Sequence, residues 1–151
     1  MKKILTAVSV LLGLAGFLYL KTVVSAEHRT FDLEGKTMKI VLDGKAFNVM
    51  LDNNGTTEDI LKHLPLTLDM VQYAGHEYYA SLPFTPFFDR ERTSHILAGH
   101  IYYWDGWNAF VINYIDYDIA PYKVVHIGEI ADKSVIDVLR QAENVSVKVT
   151  E

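Results

Sequence analysis

The chain has 151 residues, half of them apolar, and its formal net charge is −5. This length fits one domain with its own core, and the apolar content excludes a disordered chain. The acidic balance argues against nucleic-acid binding, because such a protein needs a basic face to displace counterions. The chain has no Cys, which excludes disulfides, thiolate nucleophiles, Cys-ligated zinc and iron–sulfur clusters.

The first 26 residues have the three-part pattern of a secretory signal peptide. Lys2 and Lys3 precede an uncharged run over residues 4–20, and Val24 and Ala26 occupy the −3 and −1 places of a cleavage site. The run is slightly short for a membrane helix, which needs about 20 apolar residues. We therefore expect cleavage after Ala26, with an uncleaved membrane anchor as the alternative. In both cases the remaining domain lies extracytoplasmically, either secreted or anchored on the outer side of the cytoplasmic membrane.

The remainder divides into a polar lead-in, residues 27–37, and one domain, residues 38–151. Without residues 1–26 the charge becomes −8, and fourteen aromatic side chains lie between Tyr73 and Tyr122. The aromatic residues are therefore concentrated in one half of the domain.

Two alternating runs on either side of Asp43-Gly44 predict the first β-hairpin. Apolar residues recur at every second position in residues 38–42 and 47–51, and Asp-Gly is typical of two-residue hairpin turns. Thr56 and Asp59 then have the spacing of a capping box, so we expect a short helix that begins there and stops before Pro65.

Further along the chain, period-two alternation predicts strands at residues 66–70, 77–82, 123–130 and 145–149, with a turn at residues 74–76. A second short helix is expected to begin at Ser134, with Asp137 three residues later. Its apolar residues share one face.

Aromatic residues flank Asp105-Gly106 and predict a second hairpin, with strands at residues 100–104 and 107–117. Residues 83–98 before it form the longest irregular stretch, and loops of this length are often functional. Seven or eight short strands with two brief helices indicate a mainly β fold, either a barrel or a sandwich.

Six segments also have a characteristic order and spacing: Leu51–Asn53, Leu64–Thr67, Gly75–Tyr79, Leu82-Pro83, Ala98–Trp104 and Ile127–Ile130. Together they resemble the bacterial cyclophilin-like domain proteins, an exported group of uncharacterised function, over Met38–Leu139. The resemblance implies a closed antiparallel cyclophilin-like β-barrel of about eight strands with two short helices. One departure is Gly99-His100, where the family usually has Gly-Asp, so an imidazole replaces an acceptor-only carboxylate.

The resemblance does not imply the prolyl-isomerase activity of true cyclophilins. Phe88-Asp89-Arg90 only faintly echoes the start of their catalytic block, and the Phe-Met pair and Gln-Gly-Gly-Asp run are missing. A fold does not carry an activity by itself. A divergent extracytoplasmic peptidyl-prolyl isomerase or folding helper, in which Arg90 or Arg92 would donate to the proline region, remains the alternative.

A candidate ligand-binding groove combines aromatic, basic and acidic side chains: Arg90, His100, Tyr102, Trp104, Trp107, His126 and Glu77. Because alternate residues of a hairpin face opposite sides, some of these aromatics must point away from the core. Aromatic and Arg side chains are typical ligand anchors. The groove predicts a non-enzymatic binding module for a small molecule or a peptide segment, and packing at the core and rim of the barrel is the alternative interpretation.

Other kinds of site find little support in the sequence. The available metal ligands are His76, Glu77, His95, His100 and His126, but no HExxH-type pair places two His on one helix face. No serine lies in a Gly-x-Ser-x-Gly elbow. We therefore predict no metal, no cofactor and no catalytic residue. Glu77 is interpreted as a carboxylate that ties a loop by accepting backbone N–H bonds.

Cleavage after Ala26 predicts that the exported protein begins at Glu27. Intact-mass measurement of the form recovered outside the cytoplasm tests this expectation. A mass that retains residues 1–26 would place the protein in the membrane-anchored class instead.

Overall fold

The computed structural model describes Phe31 and residues 33–151. The predicted signal peptide and part of the lead-in lie outside these residues, so cleavage stays a prediction. Within the described residues no helix combines the length and the apolar character that crossing a membrane requires.

The described residues form ten strands and two α-helices: β1 Met38–Leu42, β2 Lys45–Leu51, α1 Gly55–Leu61, β3 Leu66–Tyr73, β4 Glu77–Ser81, β5 His95–Ile96, β6 His100–Trp104, β7 Ala109–Asn113, β8 Tyr117–Asp118, β9 Val125–Ile130, α2 Ser134–Gln141 and β10 Asn144–Thr150. Eight strands close into a barrel in the order β1-β10-β3-β4-β7-β6-β9-β2, and β5 and β8 form a separate two-stranded ribbon. Every pairing is antiparallel. This confirms the predicted closed antiparallel barrel with two short helices.

The first hairpin forms as its sequence predicts. Leu42 pairs with Lys45, so Asp43 and Gly44 make a two-residue turn. Both residues have positive φ, 48° and 76°, which is the conformation that matches the twist of the flanking strands. The apolar positions on both strands consequently face the core.

Helix α2 covers one end of the barrel. Its Val135 and Leu139 are fully buried in the core. The hydroxyl of the buried Tyr78 on β4 donates to Leu139 O at 2.9 Å and also to Ala142 O. A buried tyrosine requires such a partner, so the hydrogen bond joins the helix to the strand.

The capping residues of both helices differ from the prediction. Asn54 caps α1, because its Oδ1 accepts from Thr57 N at 2.9 Å. Thr56 instead donates its hydroxyl to Phe87 O at 2.7 Å, and Asp59 accepts from Phe87 N at 2.9 Å. The capping-box residues of the sequence thus anchor the following irregular loop to the helix.

At α2, Asp132 accepts the Ser134 N–H at 2.9 Å, and the Ser134 hydroxyl accepts from Lys45 at 2.9 Å. Ser134 is therefore the first helical residue and its side chain does not cap the helix. The start of the helix is nevertheless where the sequence predicts it.

The aromatic hairpin is shorter than predicted. A 3-10 turn, Asp105–Trp107, joins β6 to β7, and Asn108 follows it in the left-handed conformation with φ 49°. Strand β7 ends at Asn113 and does not extend to Tyr117, because Tyr117 pairs with Ile96 in the β5–β8 ribbon.

The ribbon covers a second, smaller core on the outside of the barrel wall. Within the hairpin Ile101 and Tyr103 face the main core, whereas Tyr102 faces the second. The predicted outward orientation of some hairpin aromatics is thereby confirmed. The second core consists of Ile96, Tyr102, Ala109, Val111 and Val124.

Gly128 on β9 lies where two strands approach closely. It pairs with Leu51 on β2 and with Ile101 on β6, directly beside an irregularity in the β6–β9 register. A Cβ atom at this position would lie 2.6 Å from Met50 O and 2.7 Å from Val49 Cγ1. Backbone cannot yield as a flexible side chain does, so the site requires glycine.

Gly128→Val is expected to lower the free energy of unfolding by roughly 1–3 kcal/mol, because the added atoms overpack the strand pair. Arg92→Ala should cost only about 0.5 kcal/mol, since it removes an exposed cation–π contact with Phe88. Urea denaturation of both variants measures the difference. Equal losses would contradict the close approach at Gly128.

Candidate functional site

A cleft of about 530 Å³ lies between the outer face of the barrel and the segment that follows β7. The barrel side is provided by β3, β4, β6 and β7, and the other side by residues 117–124. The lining residues are Tyr73, His76, Glu77, Trp104, Trp107, Val111, Tyr117, Asp118, Ile119, Ala120, Tyr122 and Val124. This size suits a small organic molecule or a few residues of a peptide.

Four aromatic side chains in contact with one another form an aromatic wall, defined here as Tyr73, Trp104 and Trp107 from the barrel side and Tyr122 from the opposite segment. The Trp104 and Trp107 ring centroids are 4.6 Å apart at an interplanar angle of 61°. Tyr73 contacts Trp107 edge-on at 5.0 Å, and Tyr122 contacts Trp104 at 6.0 Å. These geometries are favourable for aromatic pairs, and Trp107 still exposes 40% of its surface.

Gly106 gives Trp104 its place in the wall. A Cβ atom at Gly106 would lie 2.8 Å from the indole Cε2 and Cζ2 atoms. The indole therefore packs directly on the bare backbone of the turn. Any side chain at this position would displace the ring.

Glu77 is the buried acid of the cleft. Only 9% of the residue is exposed, and burial raises the pKa of its carboxyl to about 7. Its Oε2 lies 3.3 Å from His76 Nε2. None of the described backbone N–H groups donates to this carboxylate, so the predicted loop-tying role is not observed.

A backbone carbonyl sets the orientation of the His76 proton. His76 Nδ1 lies 3.2 Å from Ala74 O, and a carbonyl only accepts, so Nδ1 carries the hydrogen. Nε2 is then the ring nitrogen that faces the Glu77 carboxyl group. The ring also stacks on Tyr117, with centroids 4.7 Å apart.

Asn113 adds unused hydrogen-bonding capacity next to Glu77. The two residues are paired across β4 and β7, and both face outward because Tyr78 and Ile112 face the core. Asn113 is fully buried, and neither its Nδ2 nor its Oδ1 has a partner among the described residues. Such a group is costly to leave unpaired, so it marks a polar position beside the acid.

Three of the predicted groove residues meet in the cleft: Glu77, Trp104 and Trp107. Tyr102 lies beneath it, almost fully buried in the second core, where its hydroxyl accepts the Leu97 N–H at 3.0 Å. Tyr102 thus supports the cleft from below and does not line it.

His100 and His126 form a separate cluster. His100 Nδ1 lies 2.9 Å from His126 Nε2, and His126 Nδ1 lies 3.1 Å from Asp52 Oδ2. Burial, followed by the neighbouring His126, lowers the pKa of His100. His126 and Asp52 line a smaller groove of about 170 Å³ together with Arg92.

Arg90 is exposed in the irregular loop and lines neither of these two grooves. The described residues contain no group of three His, Asp or Glu side chains that could hold a metal ion. The sequence analysis overlooked Tyr73, Tyr117 and Tyr122. The turn at residues 74–76 could have revealed Tyr73, because it pairs Tyr73 with Glu77.

The fold and the site together define an antiparallel barrel domain with an external aromatic cleft around a buried acid. The sequence profile of the cyclophilin-like family matches residues 40–150. The chain belongs to the cyclophilin-like family. No curated protein matches it.

Two solved structures share the fold. The solution structure of the hypothetical protein AF2241 from Archaeoglobus fulgidus has a TM-score of 0.58 at 18% identity, covering 82% of this chain and 98% of that one. McbB, determined in complex with tryptophan, has a TM-score of 0.56 at 14% identity, covering 76% of this chain. The match spans 44% of McbB, so this chain corresponds to less than half of that protein.

The buried Glu77 should make stability depend on pH. Its folded-state pKa of about 7 exceeds the ordinary value of 4.5, so the folded protein binds more protons between these values. The resulting stabilisation is fully present below pH 4.5 and is lost as the pH rises through about 7, a change of about 3 kcal/mol.

Urea denaturation between about pH 5 and about pH 8 should show this decline in the wild type. In Glu77→Gln the same range should show a smaller decline, because the amide does not ionise. Comparison of the two proteins cancels the contribution of the histidines that do not contact Glu77. Parallel profiles would contradict the raised pKa.

Proposed function

We propose that this protein is a binding module that takes a small molecule, or a peptide segment, in the aromatic cleft. The ligand would place an aromatic ring against the aromatic wall and a basic nitrogen at Glu77. The observation that carries the proposal is a buried carboxylate in a cleft whose described lining contains four Tyr or Trp side chains of the wall and no Lys or Arg.

The physical chemistry favours this ligand class over an anion. Stacked or edge-on rings contribute about 0.5–1.5 kcal/mol beyond the burial of their area. A cation is attracted both to the faces of the indole rings and to a carboxylate. An anionic ligand would instead face Glu77 and Asp118 with no described cation in the lining to compensate.

The solved neighbour McbB was determined with tryptophan, a ligand that combines an aromatic ring and an ammonium group with a carboxylate. At this level of similarity the comparison establishes a shared fold, so the ligand class for this chain rests on its own cleft. The agreement between the two supports the proposal.

The proposal places the module outside the cytoplasm, as a secreted or membrane-anchored protein. Its support is the signal-peptide pattern of residues 1–26, and any membrane contact would come through that segment if it is not removed. The net charge of −5 gives no support to a nucleic-acid partner.

Titration with 2-phenylethylamine tests the ligand class. The chain has two tryptophans, and both line the cleft, so tryptophan fluorescence reports on this site alone. We expect saturable quenching that strengthens as the pH rises through about 7, where Glu77 ionises. The anionic analogue 3-phenylpropanoate should bind at least about tenfold more weakly, as expected for loss of a charge-assisted bond.

Glu77→Gln should weaken amine binding by about tenfold, because it removes the charge and keeps the shape. Glu143→Gln is the matched control, since Glu143 is exposed and outside the cleft. Equal affinities for the amine and the carboxylate, or equal effects of both substitutions, would contradict the proposed ligand class.

A further inference from the structure

We propose that the cleft also has an activity: Glu77 acts as a general base that removes a proton from a planar aromatic carbon acid bound against the aromatic wall. This inference rests on the proposed function, because the substrate must occupy the same cleft. It extends that function from holding a ligand to transforming one.

The position of the carboxylate carries the inference. Glu77 lines the cleft, and its Oε2 faces His76 Nε2 at 3.3 Å. No described group donates to Oε1, so this oxygen is available to a bound molecule. A carboxylate with few donors around it is a stronger base than one in water, because burial disfavours its charge.

Burial gives Glu77 its tendency to take up a proton, because removal from water disfavours the carboxylate anion. The contact of Oε2 with His76 Nε2 at 3.3 Å holds the carboxyl group in place. The pKa of about 7 places the ionised base within the neutral pH range, where general-base catalysis is most effective.

Glu77 is the strongest base among the described carboxylates of the cleft. Tyr73 pairs with it from β3, the uncharged Asn113 pairs with it from β7, and Tyr117 and Asp118 line the cleft from β8. The Ala120 N–H, more than the neighbouring His95, lowers the pKa of Asp118. Asp118 is therefore a stabilised, exposed anion and a weaker base than Glu77.

The Kemp elimination of 5-nitrobenzisoxazole measures this chemistry directly. Glu77 takes the proton from C3, the electron pair of the C–H bond forms the nitrile, and the N–O bond breaks to release a phenolate. Atoms and charges balance with no oxidant, reductant or co-reactant. The substrate is planar and aromatic, so it also needs the aromatic wall.

The experiment follows phenolate release with the full-length protein, with Glu77→Gln and with the matched control Glu143→Gln. We expect catalysis by the wild type and the control, with a rate that rises as the pH passes through about 7. Glu77→Gln should lose about 100-fold or more, the usual contribution of a general base. A thermal melt confirms that each variant is folded.

Binding of 5-nitrobenzotriazole, which has the same shape and cannot eliminate, is measured in parallel by ligand-observed NMR. If the wild type binds it and releases no phenolate above the control reaction, the general-base proposal is overturned and the binding function stands. If neither binding nor turnover is seen, the general-base proposal is overturned, and the titration with 2-phenylethylamine decides the binding function separately. Turnover that survives in Glu77→Gln also overturns the assignment of the base.

Discussion

The whole molecule depends on a strand that is buried on both faces. All five residues of β7, Ala109–Asn113, are buried. Phe110 and Ile112 enter the barrel core, whereas Ala109 and Val111 face the second core outside it. A strand with two apolar faces must be covered twice. The barrel covers one face, and the chain from the ribbon to Val124 covers the other.

That second covering produces the cleft. The layer outside the barrel wall leaves a gap beside Trp104 and Trp107. The barrel therefore provides both the family fold and the acid Glu77 with Trp104 and Trp107, and the layer outside it provides the other side of the cleft. The fold alone does not specify a function.

The sequence predicts the structural features that depend only on residues near one another in the chain. The Asp43-Gly44 turn and the alternating strands follow from backbone conformation and side-chain period, both local properties. The caps of the helices do not, because Thr56 has a distant partner in Phe87 and Asn54 also donates to His126 O at 2.7 Å. Where a polar side chain can either cap a helix or bond a distant group, the tertiary structure decides which hydrogen bond forms.

The candidate site was only partly accessible from the sequence for the same reason. Trp104, Trp107 and Glu77 can be recognised in the sequence by their residue type and their position next to turns. Tyr117 and Tyr122 join them only because the β5–β8 ribbon folds back over the barrel. His100 and His126 lie 26 residues apart and meet through an irregular strand register. Such a register is set by packing across the whole sheet and leaves no local signal.

Gly106 determines how wide the cleft is. The Trp104 indole packs where the Cβ atom of any other residue at position 106 would lie. The absence of this Cβ therefore sets the position of the indole and the space in the cleft. A methyl group at residue 106 would tilt the indole and reshape the opening while leaving Glu77 and the barrel untouched. A substitution at this one turn position would therefore change the size of molecule that the cleft admits and leave the acid in place.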